Sequence, residues 1–154
     1  MLPTVDDPMP TSMGAVITEL RDDADVAALV GTRVRANRPK GADTYDAGDA
    51  RGAGQFVAFV VVSTTSAFPS RRVPLAFTEY IVRCYGATPK DAREVWGAVC
   101  KAMHDVGPRL KSSGLGIYRS AIVGGGSDDE DPDTHQPVVI GTLQLIATDR
   151  FVTV

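Results

Sequence analysis

A run of acidic residues towards the carboxyl end is the stretch of the sequence most suggestive of chemistry. Residues 124–137 read GGGSDDEDPDTHQP, with five acids in six positions and His135 close behind them. Asp129, Asp131 and Asp133 alternate as the oxygen ligands of a calcium loop do. These carboxylates could therefore hold a metal ion, face a partner protein, or simply be solvated.

An EF-type calcium loop has requirements that alternating acids alone do not meet. Counted from Asp129, the sixth position needs glycine and the twelfth needs glutamate. The sequence has Thr134 and Ile140 at these positions. Zinc would need three or four ligands, and His135 has no second histidine or cysteine near it in sequence. A small metal-binding domain built on the alternating acids and His135 remains an alternative, but a solvated, mobile hairpin tip is the simpler interpretation.

A basic cluster is the second charged feature of the sequence. Its members are Arg33, Arg35, Arg38 and Lys40, with Arg71 and Arg72 elsewhere. Such a cluster can face phosphate, an acidic protein surface or only solvent. Without the five acids the net charge of −3 becomes +2, which is not the strongly basic profile of a dedicated nucleic-acid-binding protein.

The two clusters together suggest self-association. A chain with a basic strand region and an acidic hairpin can bind copies of itself head-to-tail, and such contacts can close into rings. The predicted subunit or partner contacts are therefore the six basic residues above together with the five acids, Asp128, Asp129, Glu130, Asp131 and Asp133.

The other reactive residue types show no catalytic pattern. Cys84 lies on a predicted strand and Cys100 on the apolar stripe of a predicted helix, which is typical of small buried hydrophobes. His104 lies late in the same helix, where it favours the helix dipole. The sequence has no G-x-S-x-G elbow, and its glycine-rich stretches lack the lysine of a phosphate loop. Neither an enzyme nor a cofactor is predicted.

The elements in the first half of the chain follow from apolar periodicity and capping residues. TSMGAVITELRDD predicts a helix that Thr11 or Ser12 can cap, and DADVAALVG predicts a second short helix that ends at Gly31. TRVRANRPKG contains one short strand. Residues 42–54 lack periodicity and predict a long loop.

The second half of the chain predicts four strands and one long helix. QFVAFVVVSTT and VPLAFTEYIVRCYG are strands joined by the turn SAFPSRR. TPKDAREVWGAVCKAMHDVG is an amphipathic helix with Thr88 as N-cap, Pro89 at N1 and Asp91 at N3, and Gly107 and Pro108 end it. LGIYRSAIV and VVIGTLQLIATDRFV are two further strands, which the acidic stretch joins.

These elements predict one α+β domain. In this domain a mostly antiparallel β-sheet carries helices on one face, as a two-layer sandwich. Residues 12–154 form the domain, and residues 1–11 form a flexible N-terminal arm. The longest apolar run, residues 56–62, is far too short to span a bilayer. With no secretory signal at the start, reduced cysteines in a cytoplasmic setting are expected.

The layout also resembles a known protein family. A capped helix precedes DVAALVGTRVRANRPKG, the strand-to-helix step TEYIVRCYGATPKDAREVWGAVCKAMHD follows, and GTLQLIATDRFV closes the chain. Over residues 12–154 this layout resembles the tail terminator proteins of long-tailed bacteriophages, also called tail completion or minor tail proteins. The most telling parts of the resemblance are VAALVGTRV and RCYGATPKDAREVWGAV.

The resemblance implies a structural role in the virion. Such proteins form a hexameric ring on the last ring of the tail tube, stop tube growth and meet the connector or stopper protein at the head-proximal end. It implies an α+β fold, no catalytic residues, no cofactor, and assembly in the host cytoplasm. Other head-tail connector proteins, such as a stopper or adaptor, are the closest alternative. A nucleic-acid module that uses the basic cluster is less favoured, although a ring lumen could meet passing DNA.

Overall fold

The described part of the protein combines three helices with one six-stranded sheet. The computed structural model describes residues 10–37, 57–69, 75–110 and 116–148. The elements in chain order are α1 (Pro10–Asp22), α2 (Ala24–Val30), β1 (Val34–Ala36), β2 (Phe59–Pro69), β3 (Leu75–Tyr85), α3 (Pro89–Met103), β4 (Arg109–Leu110), β5 (Gly116–Glu130) and β6 (Pro137–Thr148). The predicted α+β class is confirmed.

The strand order across the sheet is β1-β2-β3-β6-β5-β4. Every pair is antiparallel except β1 and β2, which run parallel. The two central pairings place β6 between β3 and β5, so the two long hairpins form the body of the sheet. The mostly antiparallel sheet predicted from the adjacent long strands is therefore confirmed.

Alternation along the strands divides the sheet into two faces. Val60 and Val62 of β2 and Tyr80 and Val82 of β3 are fully buried in the cluster that includes the helices. Successive strand residues point to opposite faces. Phe59 therefore lies on the other face, in a smaller buried cluster with Val61, Tyr85 and Val138.

Capping residues define the helix ends. Thr88 Oγ1 accepts the backbone N–H of Asp91 at 3.1 Å, and Pro89 opens α3, as predicted. The side chain of Asp23 accepts the backbone N–H groups of Asp25 and Val26 at the start of α2.

The Trp96 ring of α3 packs on the sheet at a point where β5 and β6 carry glycines. A Cβ atom on Gly141 would lie 2.0 Å from Cη2 of Trp96, and one on Gly126 would lie 3.1 Å from the Trp96 indole nitrogen. Gly125 is equally confined, because its Cβ would lie 2.2 Å from the Cα of Gly141. The backbone of Gly125 and Gly126 also has positive φ values of 102° and 83°. Gly126 and Gly141 thus provide space for the only tryptophan of the chain, and Gly125 allows the close approach of the β5 and β6 backbones.

Four predicted boundaries are wrong. α1 begins at Pro10, so Thr11 and Ser12 lie inside the helix and do not cap it. β2 continues through Pro69, so most of the expected turn SAFPSRR belongs to the strand. β5 continues to Glu130, so half of the expected acidic tip is paired strand. α3 ends at Met103 with His104 as C-cap, earlier than the expected stop at Gly107 and Pro108. His104 accordingly lies past the last helical residue.

The close packing of Trp96 on Gly141 can be tested by adding a single methyl group to the glycine. Gly141→Ala should lower the free energy of unfolding by about 2–3 kcal/mol, because the Trp96 ring and the backbone beneath it must separate. Urea denaturation followed by the fluorescence of this tryptophan measures the change.

Gly97→Ala is the matched control, because an added Cβ on this exposed residue of α3 would meet nothing within 4 Å. It should raise the free energy of unfolding by about 0.5–1 kcal/mol through helix propensity. Equal effects of the two substitutions would contradict the packing described here.

Candidate interaction surface at the β5–β6 hairpin

The acidic run is held by a regular antiparallel ladder. Asp128, Asp129 and Glu130 of β5 pair with Val139, Val138 and Pro137 of β6. The tip that joins the two strands is short and covers residues 131–136. The first three acids therefore project from an ordered strand, and the side-chain direction alternates between its faces.

Asp131 organises the tip from inside. Its Oδ1 accepts the backbone N–H groups of Asp133 at 2.9 Å and Thr134 at 3.0 Å, while its Oδ2 accepts the Tyr85 hydroxyl at 3.3 Å. Its backbone N–H donates to Gln136 O, and its carbonyl accepts the N–H of His135. Burial raises the pKa of Asp131, but these hydrogen bonds to the charged form outweigh burial and hold the pKa below its ordinary value.

Tyr85 connects the tip to the second buried cluster. Its ring stacks on Phe59 with centroids 4.2 Å apart and an interplanar angle of 9°. Burial first, and then the negative charge of Asp131, raise the pKa of Tyr85 to about 12. The neutral phenol is thus the favoured state, and it donates to the Asp131 carboxylate.

Gln136 fixes the base of the tip and was not singled out by the sequence patterns. The residue is fully buried, and its Nε2 donates to Val57 O at 2.7 Å and Gly86 O at 3.4 Å. These bonds tie the hairpin to the start of β2 and the end of β3. Gln136 stands between His135 and Pro137, and a single amide in such a polar stretch gives no periodic signal of burial.

The remaining acids make local contacts at the surface. Asp128 forms an ion pair with Arg93 of α3, and the same guanidinium donates to Gly126 O at 3.1 Å. Glu130 lies 3.1 Å from the His135 ring, and Asp129 accepts the backbone N–H of Glu130 at 2.8 Å. The Asp128 and Glu130 side chains are 63% and 60% exposed, so both remain accessible to a partner.

The hairpin does not bring its acids together as metal ligands. Over the described residues, no three histidine, cysteine, aspartate or glutamate side chains form a group able to hold an ion. Asp131 uses its carboxylate within the turn and on Tyr85, and Glu130 faces His135. The alternation seen in the sequence therefore reflects a strand and a turn, and the geometry gives the metal alternative no support.

The structure places the described part of the basic cluster beside β1. Arg33 Nε donates to Ala58 O at 2.8 Å, which connects the start of β1 to the start of β2. Arg35 lies within β1 and is half-buried. The other members, Arg38, Lys40, Arg71 and Arg72, lie outside the described residues, as do residues 1–9 of the predicted arm and the loop of residues 42–54. The last two residues of the predicted arm, residues 10 and 11, belong to α1.

The basic and acidic clusters lie in one row of the sheet. Val34, which Arg33 and Arg35 flank, pairs with Val60, and the row continues through β3 and β6 to Asp128. Four strand spacings separate the two ends of this row, or about 19 Å. The clusters therefore occupy opposite flanks at one level, and they are too far apart to pair within one chain.

The two cysteines have the surroundings of structural thiols. Cys84 is fully buried, and burial raises its pKa well above the ordinary range. Cys100 is half-buried, and burial raises its pKa as well. Both are free thiols. Raised pKa values oppose the thiolate form that a nucleophile needs.

Comparisons with known proteins give similarity to solved structures and none to curated sequences. No protein-family model matches the chain, and no curated protein matches it. Among the solved structures, a chain from the "Virion of native gene transfer agent (GTA) particle" is similar, with a TM-score of 0.59 and 17% identity. The match covers 86% of this chain and 91% of the other. At this identity the likeness establishes a shared fold.

None of the described helices is long and apolar enough to cross a membrane.

The role of Asp131 in the tip can be separated from its charge. Asp131→Ala should lower the free energy of unfolding by about 1–2 kcal/mol, because two backbone N–H groups and the Tyr85 hydroxyl lose their acceptor. Asp131→Asn retains an acceptor oxygen at Oδ1 and should lose less than half as much. Urea denaturation at neutral pH provides the comparison, and a larger loss for Asn than for Ala would contradict the assigned geometry.

The raised pKa of Tyr85 predicts that the free energy of unfolding falls at alkaline pH. Because its pKa is raised in the folded protein, its contribution is complete below about pH 10, the ordinary tyrosine value, and is lost as pH rises towards 12. Tyr85→Phe keeps the stack on Phe59 but removes this ionisation, so the variant should lose less stability than the parent over that range. Chemical denaturation at pH 9, 10 and 11 tests this, and parallel pH profiles would refute it.

Proposed function

We propose that this protein is a structural virion protein that caps a phage-type tail tube as a ring, ends tube polymerisation and joins the tail to the head-side connector. The observation that carries the proposal is the structural likeness to a chain of a gene transfer agent virion, which extends over most of both chains. The resemblance of the sequence to tail terminators supports the proposed position within the particle. The role is architectural and requires no enzymatic step.

The arrangement of charge supports a ring built head-to-tail. A heterologous contact joins two different patches, so each subunit must present complementary surfaces on opposite flanks. Arg33 and Arg35 lie on the β1 flank, and Asp128 and Glu130 lie on the β5 flank in the same row of the sheet. Because the two patches lie in the same row of the sheet, neighbouring subunits can be related by rotation alone, with no translation along the ring axis. Electrostatic complementarity then contributes register and association rate more than affinity.

The proposed partners are further copies in a ring, with six as the number implied by the resemblance, together with the tube protein and the connector or stopper. The proposed location is the head-proximal end of the tail, after assembly in the host cytoplasm. A neighbouring neck protein of the same fold is the second candidate, since the structural likeness applies equally to it. DNA passing through the lumen would meet the ring only non-specifically.

The acidic flank provides the test of the ring contact. Asp131 is left unchanged because it holds the turn, and four acids are neutralised together: Asp128→Asn, Asp129→Asn, Glu130→Gln and Asp133→Asn. The melting temperature should change by less than about 4 °C, because exposed ion pairs contribute little. Ring formation with purified tube protein, measured by native mass spectrometry, should weaken strongly.

The matched control neutralises four acids away from the hairpin, the exposed Asp22, Asp25 and Asp105 and the half-buried Glu79 of β3. It makes the same change in net charge and should leave ring formation intact. Equal weakening by both sets would indicate a general charge effect and remove the acidic flank from the interface. A subunit that stays monomeric with tube protein would contradict the ring itself.

A further inference from the structure

The outer edge of β5 is unusually long for a sheet edge. β6 pairs along the strand on one side, while on the other side β4 reaches Ile117 and an isolated bridge joins Val106 to Ser120. From Ile122 to Glu130 no strand of the described chain lies beside it. These nine residues present about 30 Å of backbone edge, and the groups of such an edge can pair with another chain.

Side chains satisfy this edge where a strand is missing. The Ile122 backbone N–H donates to His104 Nδ1 at 3.1 Å, and Gly126 O accepts from Arg93. The first contact requires His104 Nδ1 to be unprotonated, because a nitrogen that carries a proton cannot accept. His104 and Arg93 are both exposed, so an incoming backbone can replace these contacts with ladder hydrogen bonds at little cost.

The ends of the edge determine how a second copy fits. The bridge at Ser120 closes one end, and the turn that begins at Asp131 closes the other. Two such edges running antiparallel overlap fully only when Gly126 lies near a two-fold axis. Ile122 of one copy then lies opposite Glu130 of the second copy. The glycines near the axis leave space for the approach of two backbones.

The charges along the edge are self-complementary in this arrangement. At one end, Ile122, Lys101 and His104 line a shallow groove of about 410 Å³ with Cys100. At the other end, Asp128 and Glu130 are largely exposed. Antiparallel overlap places the acids of each copy beside Lys101 of the second copy, and symmetry repeats the contact. A parallel arrangement would bring acids against acids.

We propose that the outer edge of β5 is a self-association surface, on which a second copy of this chain adds as an antiparallel strand and displaces His104 and Arg93. The product is a closed two-fold dimer with a sheet continuous across both copies. This contact differs from the head-to-tail ring contact in the surface that the acids meet, but both use Asp128 and Glu130. One subunit therefore forms one contact or the other, and each proposal has its own test.

A charge exchange tests the arrangement. One variant carries Asp128→Lys with Glu130→Lys, and the second carries Lys101→Glu. Each alone should raise the dimer Kd by about ten-fold or more in sedimentation velocity at low salt, since like charges then face each other. An equimolar mixture should recover a Kd near that of the wild type, because every contact in the heterodimer is again between opposite charges. Asp22→Lys, an exposed change on α1, should leave the Kd unaltered.

Amide hydrogen exchange identifies the surface directly. Dimer formation should slow exchange in residues 122–130 and leave β1 unchanged. A wild type that stays monomeric at millimolar concentration overturns the proposal. So does a mixture of variants that fails to recover affinity, or a dimer whose protection lies outside β5. None of these results depends on tube protein, so failure here leaves the ring proposal intact.

Discussion

The contact between Trp96 and the glycines of β5 and β6 determines how the helical layer sits on the sheet. The ring lies so close to the Gly141 backbone that a Cβ there would be 2.0 Å from it, and Gly126, which has a positive φ value, lies beside the indole nitrogen. The close approach of α3 to β5 places Arg93 within reach of Gly126 O and Asp128. At the other end of the helix, His104 reaches the Ile122 amide. α3 therefore packs on the sheet through the Trp96 ring, and the Arg93 and His104 side chains form hydrogen bonds with the outer edge of β5.

The hairpin beyond this contact combines a rigid interior with an accessible exterior. Asp131, Tyr85 and Gln136 use hydrogen bonds within the fold, while Asp128 and Glu130 remain exposed. A surface of this kind loses little conformational entropy on binding, because the strand is ordered before a partner arrives. Such ordering suits an assembly protein whose contacts must form in one register.

The sequence predicted the elements well where local chemistry determines them. Thr88 and Pro89 mark the start of α3 because cap geometry is local, and the apolar stripe of this helix gives its buried face. The strand through Asp128–Glu130 was missed because its residues have low β-propensity, and pairing with β6 imposes the conformation. The roles of Asp131 and Gln136 depend on residues more than 40 positions away, such as Tyr85 and Val57. No local sequence pattern encodes such contacts. The charge clusters, by contrast, were evident in the sequence, and only their separation across the sheet required the structure.

The most direct measurement is the length distribution of tail tubes polymerised with and without this protein, by electron microscopy. The proposed role predicts that substoichiometric protein stops elongation and leaves a ring of density at one end of each tube. The variant with the four hairpin acids neutralised should stop elongation poorly, although it is folded. Tubes that grow equally long in the presence of excess wild-type protein, with both ends bare, would contradict the account.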